Sequence, residues 1–217
     1  MSKKLMLLAL AVVSAGLFAV PTVALANEIH FDTATTFTGT GGASSLVTSG
    51  EPTITCESID YSNGTLSAGG TTGTMTLVYT GCHTSVFGFT AKCHTTGSAA
   101  DNTVVSGGTL HIFTSFAVAP RILVTMNPTE IICAGISNTY VEGSLIGTIT
   151  SPACGTSSNK LTLSFAATGS TQNHLEYTGS NYDLIARTGG KTGSPLTSGL
   201  TGTASLTANT AGTLTCT

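Results

Sequence analysis

Apolar side chains alternate with threonine or serine along most of this chain, and that period of two limits what it can fold into more than any other feature. The pattern is plain in Thr53-Ile54-Thr55-Cys56, Thr74-Met75-Thr76-Leu77-Val78-Tyr79, Leu161-Thr162-Leu163-Ser164-Phe165 and Thr213-Leu214-Thr215-Cys216. Successive residues of a strand point to opposite faces, so each run reads as a half-buried strand with one wet side. Threonine suits both demands, because its β-branch fits the pleated backbone and its hydroxyl tolerates water. No stretch carries a capped apolar stripe of period 3.6. Turn signals separate the runs at Asn63-Gly64, Gly69-Gly70, Gly107-Gly108, Asn127-Pro128, Ser151-Pro152 and Gly189-Gly190. The expected class is all-β, an antiparallel β-sandwich-like fold of Ig-like or jelly-roll-like type, held by disulfides.

The segment from Leu110 to Met126 is the most apolar outside the N-terminal region. Leu110, Ile112, Phe116, Val118, Ile122, Val124 and Met126 share one parity, and Phe113, Ala117 and Leu123 occupy the other. Both faces are therefore expected to be covered, in a long strand or a hairpin bent near Ala119-Pro120. His111 reads as an interior or edge residue.

Only 8% of the residues are charged, about a third of the usual share, and hydroxyl residues and glycine take their place. A nucleic-acid binder needs clustered Lys and Arg, and a coiled coil needs charged heptads; the chain has neither. At the N-terminus, Lys3 and Lys4 precede an apolar run from Leu5 to Val20, then Pro21 and Ala24-Leu25-Ala26. This is the pattern of a secretory signal peptide over residues 1–26, cut between Ala26 and Asn27. The expected product is secreted, with one β domain over 27–217, a net charge of −5 and no integral membrane segment. A division into two lobes near 127–130 is the alternative, because Cys56 to Cys82 and Cys133 to Cys154 echo one another around Gly64-Thr65-Leu66 and Gly143-Ser144-Leu145.

Six cysteines in an oxidising compartment imply three disulfides with fifteen connectivities. The set with the shortest loops pairs Cys82–Cys93 and Cys133–Cys154 and leaves Cys56–Cys216. A rival set pairs Cys56 with Cys82 and leaves Cys93 for Cys216. The dipeptides Cys82-His83 and Cys93-His94 suggest metal only if the thiols are free, and adjacent strand residues face opposite ways; no metal or cofactor is expected.

The densest polar cluster runs from Asn173 to Leu184. A two-residue turn at Gly179-Ser180 would set Glu176 opposite Asp183, a carboxylate pair that could serve a small extracellular glycan hydrolase. Without that chemistry the pair is a solvated hairpin face eased by Arg187. Gly143-Ser144-Leu145-Ile146-Gly147 has its serine in the wrong place for a nucleophile elbow. Thr-x-Thr pairs suggest a flat hydroxyl array, but their intervals are irregular. With no Trp, the tyrosines Tyr61, Tyr140, Tyr177 and Tyr182 are the aromatic platforms for a sugar. Asn63-Gly64-Thr65 is a glycosylation sequon by pattern, idle in a bacterial host.

The succession Ile54-Thr55-Cys56, Tyr79-Thr80-Gly81-Cys82, Phe87-Gly88-Phe89 and Cys93, with a Gly-rich half ending in Cys216, resembles uncharacterised secreted bacterial proteins rich in Thr and Gly. That resemblance implies export, disulfides and a β fold, and it assigns no functional residue. The expected role is a non-enzymatic binding or structural β domain at or beyond the cell surface. Its partner would be a cell-surface glycan or protein, and the further alternative is a self-assembling surface-layer or adhesin-like component.

Overall fold

The computed structural model describes residues 27–114, 120–172 and 184–216. Strands dominate them, in the order β1 (Asn27–Phe31), β2 (Thr35–Gly41), β3 (Ser44–Thr48), β4 (Ile54–Cys56), β5 (Ser58–Leu66), β6 (Thr72–Thr80), β7 (His83–Val86) and β8 (Phe89–His94). There follow β9 (Val104–Thr114), β10 (Arg121–Cys133), β11 (Ser137–Ser151), β12 (Ser157–Phe165), β13 (Ala167–Thr168), β14 (Thr171–Gln172), β15 (Leu184–Thr188) and β16 (Pro195–Cys216). All their pairings are antiparallel.

The pairings close on themselves. β2 continues into β3, β4 into β5, and β6 into β7 with short breaks, while β8 and β9, and β12 and β15, are collinear halves separated by excursions. Together with the long strands β10, β11 and β16 they make eight positions, each bonded to the next in chain order. The eighth returns to the first, with Leu206 opposite Gly39 and Leu200 opposite Leu46. The connectivity is thus an up-and-down meander closed as a barrel. The all-β antiparallel class with disulfides is as expected, and the strands follow one another around the sheet in chain order. Alternation along one strand reports its two faces and says nothing about which strand lies beside it.

Apolar residues point into the barrel and hydroxyls out. In β6 the inward side chains are Met75, Leu77 and Tyr79, all buried, while Thr74 is exposed and Thr76 half-buried. A barrel wall that meets lipid has the opposite polarity. One continuous core runs the length of the ring, from Phe31 and Leu214 to Ile54 and Ile131. Residues 127–130, weighed as a lobe boundary, lie within β10, whose register slips between Met126 and Thr129. As expected, Leu110 and Ile112 share the core with Ile122 and Val124, and Phe113 and Leu123 are buried on the other face with Ile146. Phe116, Ala117 and Val118 lie outside the described residues.

Some turn signals are not turns. Asn63-Gly64 sits inside β5 as a bulge, with Asn63 at φ 50° and a register slip between Ser62 and Thr65. Gly107-Gly108 lies in β9, where Gly108 gives room to the Thr125 carbonyl opposite. Bulges and glycines of this kind bend a sheet tightly enough to close it. Gly69-Gly70 and Gly189-Gly190 do lie between strands, and Ser151-Pro152 marks the end of β11.

Candidate functional site

The built feature of this barrel is a row of four cysteines crossing four neighbouring strands near one rim. The register puts Thr55 opposite His83 and Ile54 opposite Thr84, which aligns Cys56 with Cys82; Cys93 stands opposite Cys133. Cys56 is bonded to Cys82 and Cys93 to Cys133, with Cα separations of 4.0 and 4.1 Å. Such short separations belong to pairs that exchange no main-chain hydrogen bonds, where opposed side chains come closest. Between the two bonds, the Cys93 amide donates to the Cys82 carbonyl at 2.9 Å, so these two stand at a hydrogen-bonded position with their side chains further apart.

The expected set Cys82–Cys93, Cys133–Cys154 and Cys56–Cys216 is therefore corrected, and of the rival set the Cys56–Cys82 half is observed. Cys133 and Cys154 lie beyond opposite ends of β11, whose 15 residues span about 50 Å. Cys56 lies at the level of Thr201 and Gly202 on β16, far from Cys216 at its end. Cys154 is also disulfide-bonded. Its loop lies against the end of β16, where the Gly155 amide donates to the Leu214 carbonyl at 2.7 Å.

The two bonds fix both sides of the base of the β7–β8 hairpin. Beyond that base the hairpin stands alone: β7 meets β4 only at His83 and Thr84, and β8 meets β10 only at Cys93 and His94. Residues 85–90 pair only with one another, and the Ser85 and Thr90 hydroxyls bond across the finger at 2.9 Å. At its tip, Phe87 and Gly88 both have positive φ, 48° and 84°. That is the type I′ turn that matches strand twist and favours Asn-Gly or Asp-Gly. A phenylalanine there is strained and gains no packing in return. Phe87 is 97% exposed and Phe89 77%, and among the described residues the only other exposed large apolar side chain is Val105, at 37%.

The barrel interior offers less. A cavity of about 40 Å³ lies among Leu46, Ile54, Tyr79, Met126, Val141 and Leu184. Its wall is apolar, because the Ser106 and Thr129 hydroxyls beside it bond each other at 2.9 Å. That volume is far below small-molecule sites, which run to about 300 Å³ or more. A barrel of this strand number either holds one small ligand or fills with side chains, and this one is filled.

On the outer wall, Thr65, Thr74, Thr109, Thr125 and Ser144 stand directly opposite one another across five strands. Thr65 bonds Thr74 at 3.0 Å, and Thr125 bonds Ser144 at 2.9 Å. The four threonines of the row line an open depression of about 530 Å³ beside the half-buried His111. Of the Thr-x-Thr pairs only Thr74 belongs to this row, which runs across strands and not along one.

Other candidates are dispersed or differently used. Glu176, Asp183, Tyr177 and Tyr182 lie outside the described residues, as do residues 1–26. Tyr61 is no sugar platform: it is buried in the core, and burial pushes its hydroxyl well above the ordinary phenol range. Tyr140 is half-buried on β11. Arg187 is engaged with Glu142, its Nε and a terminal nitrogen each 3.0 Å from Oε1. The cysteines of both Cys-His dipeptides are in disulfides and supply no thiolate. Sequence reasoning missed Phe87 and Phe89 as a site. Their signal was there: a Phe-Gly-Phe turn between two cysteines, where a turn needs no aromatic residue.

The chain matches no protein-family model, no curated protein and no solved structure.

Proposed function

We propose that this protein is an exported, non-enzymatic binding barrel that acts at or beyond the cell surface, with the 82–93 finger as its contact element. The observation that carries this reading is Phe87, 97% exposed at a position where the backbone itself disfavours it. Backbone strain kept without a packing return points to use by something outside the fold. The disulfide-anchored base supports the same reading, because a rigid mount loses little freedom on binding. Disulfides also suit an oxidising compartment. A barrel whose strands are paired on both edges leaves little for edge-to-edge self-assembly.

Expression of the full chain in a bacterial host, followed by fractionation and N-terminal sequencing, tests this. The expected product begins at Asn27, is oxidised and is retained on the cell surface, and the double variant Phe87→Asn with Phe89→Ser is released to the medium. A cytoplasmic product with free thiols, or identical retention of the double variant, overturns the reading.

A further inference from the structure

We infer that the Phe87-Gly88-Phe89 tip is a wedge for the interface of a lipid bilayer, which makes the finger a peripheral membrane anchor. This rests on the finger being the contact element and names its partner.

Area argues first. Two phenylalanine side chains present about 300–500 Å² of apolar surface, whereas a stable protein interface takes about 800 Å² from each partner. Around the tip only the half-buried Val86, opposite Phe89, adds apolar surface, too little to supply the difference; Ser85 and Thr90 come next, with their hydroxyls bonded to each other. A bilayer accepts isolated aromatic tips without a surrounding shaped surface. Depth argues second. The edges of residues 85–91 carry main-chain groups that no neighbouring strand satisfies, and such groups cannot enter hydrocarbon. Insertion therefore stops after the two rings, leaving Ser85, Thr90 and the backbone edges at headgroup level. Charge argues third. On an acidic chain, residues 82–94 contain Lys92, His83 and His94 and no Asp or Glu, and Lys92 is exposed. That sign suits the phosphates of a lipid surface.

The chain has no tryptophan, so Phe87→Trp adds a single reporter. The oxidised chain from Asn27 is titrated with vesicles of phosphatidylcholine containing phosphatidylglycerol. The expected result is a saturable blue shift of the indole emission and co-sedimentation of the wild type. Burying one Phe is worth roughly 10- to 150-fold in partition, so Phe87→Asn with Phe89→Ser lowers vesicle binding at least about 100-fold. Unshifted emission together with no sedimentation of the wild type overturns the inference, as does a shift that grows with protein concentration in the absence of vesicles, which would make a second copy the occupant. If Phe87→Trp does not fold, wild-type sedimentation decides alone. Retention on cells without binding to vesicles overturns the lipid partner and leaves the finger as a contact element for something else.

Discussion

The amide of Cys93 donates to the carbonyl of Cys82 at 2.9 Å, yet each sulfur is bonded away from the other, to Cys133 and to Cys56. Two disulfides thus staple four adjacent strands through a main-chain bond at their centre. Non-reducing peptide mapping should return Cys56–Cys82 and Cys93–Cys133, and no Cys82–Cys93 peptide. The closed loops span 26 and 40 residues, so loop-closure entropy assigns each bond about 3.5–4 kcal/mol. Replacing Cys93 and Cys133 together by serine should lower unfolding free energy by about 2–4 kcal/mol, as for other native disulfides. It should also loosen the finger, read as faster hydrogen exchange at residues 85–91.

Phe87→Asn should stabilise the protein. Asparagine tolerates φ 48° and suits the first position of a type I′ turn, and it removes an exposed ring. The expected gain is about 1 kcal/mol in urea unfolding, with an unchanged denaturant slope. Stability gained where surface binding is lost separates the cost of the aromatic tip from its use. A loss of stability would show that Phe87 packs in the folded state.

The strand faces were legible and the strand partners were not. Met75, Leu77 and Tyr79 announce their inward side by alternation alone, and each is buried as that pattern requires. Nothing in a single run says that β16 returns to β2 and β3, because closure depends on register and bulges summed over the whole ring. Asn63-Gly64 shows the limit: the same dipeptide that makes a hairpin also makes a bulge within a strand, and local chemistry cannot choose. The cysteine pairing failed for a related reason. Loop length favours Cys82 with Cys93, but cross-strand position decides, and their main-chain hydrogen bond leaves the sulfurs turned to other strands. Residue type alone points to tyrosines as aromatic platforms, whereas Tyr61 serves the core and Phe87 the surface.

Three glycines should respond to alanine in a graded way. A Cβ at Gly73 would meet the Thr65 carbonyl oxygen, a main-chain atom fixed in the ladder. At Gly64 it would meet the Phe37 ring, which is packed over the glycine but can tilt. At Gly42 it would meet nothing within 4 Å. Gly73→Ala should therefore cost about 3 kcal/mol, Gly64→Ala about 1–2 kcal/mol, and Gly42→Ala close to nothing, by chemical denaturation. Equal losses at Gly73 and Gly42 would show that the β5–β6 ladder is not packed as described.

Alkaline pH should unfold this protein through its core tyrosines. Tyr61 and Tyr79 are buried on neighbouring strands, and desolvation, aided at Tyr79 by repulsion from Tyr61, raises both hydroxyls well above the ordinary value of 10.0. A group whose folded value lies above its unfolded one holds its proton more tightly when folded. Its stabilising contribution is complete below the unfolded pKa, near 10, and declines as pH rises beyond it towards the folded value. Two such groups give a slope approaching about 2.7 kcal/mol per pH unit above that point. Urea unfolding between about pH 8 and pH 11 should show this decline in the wild type. The double variant Tyr61→Phe with Tyr79→Phe should flatten it, because phenylalanine has no proton to release. A decline equally steep in the double variant would place its cause in other groups and would mean that water reaches the two phenols inside the barrel.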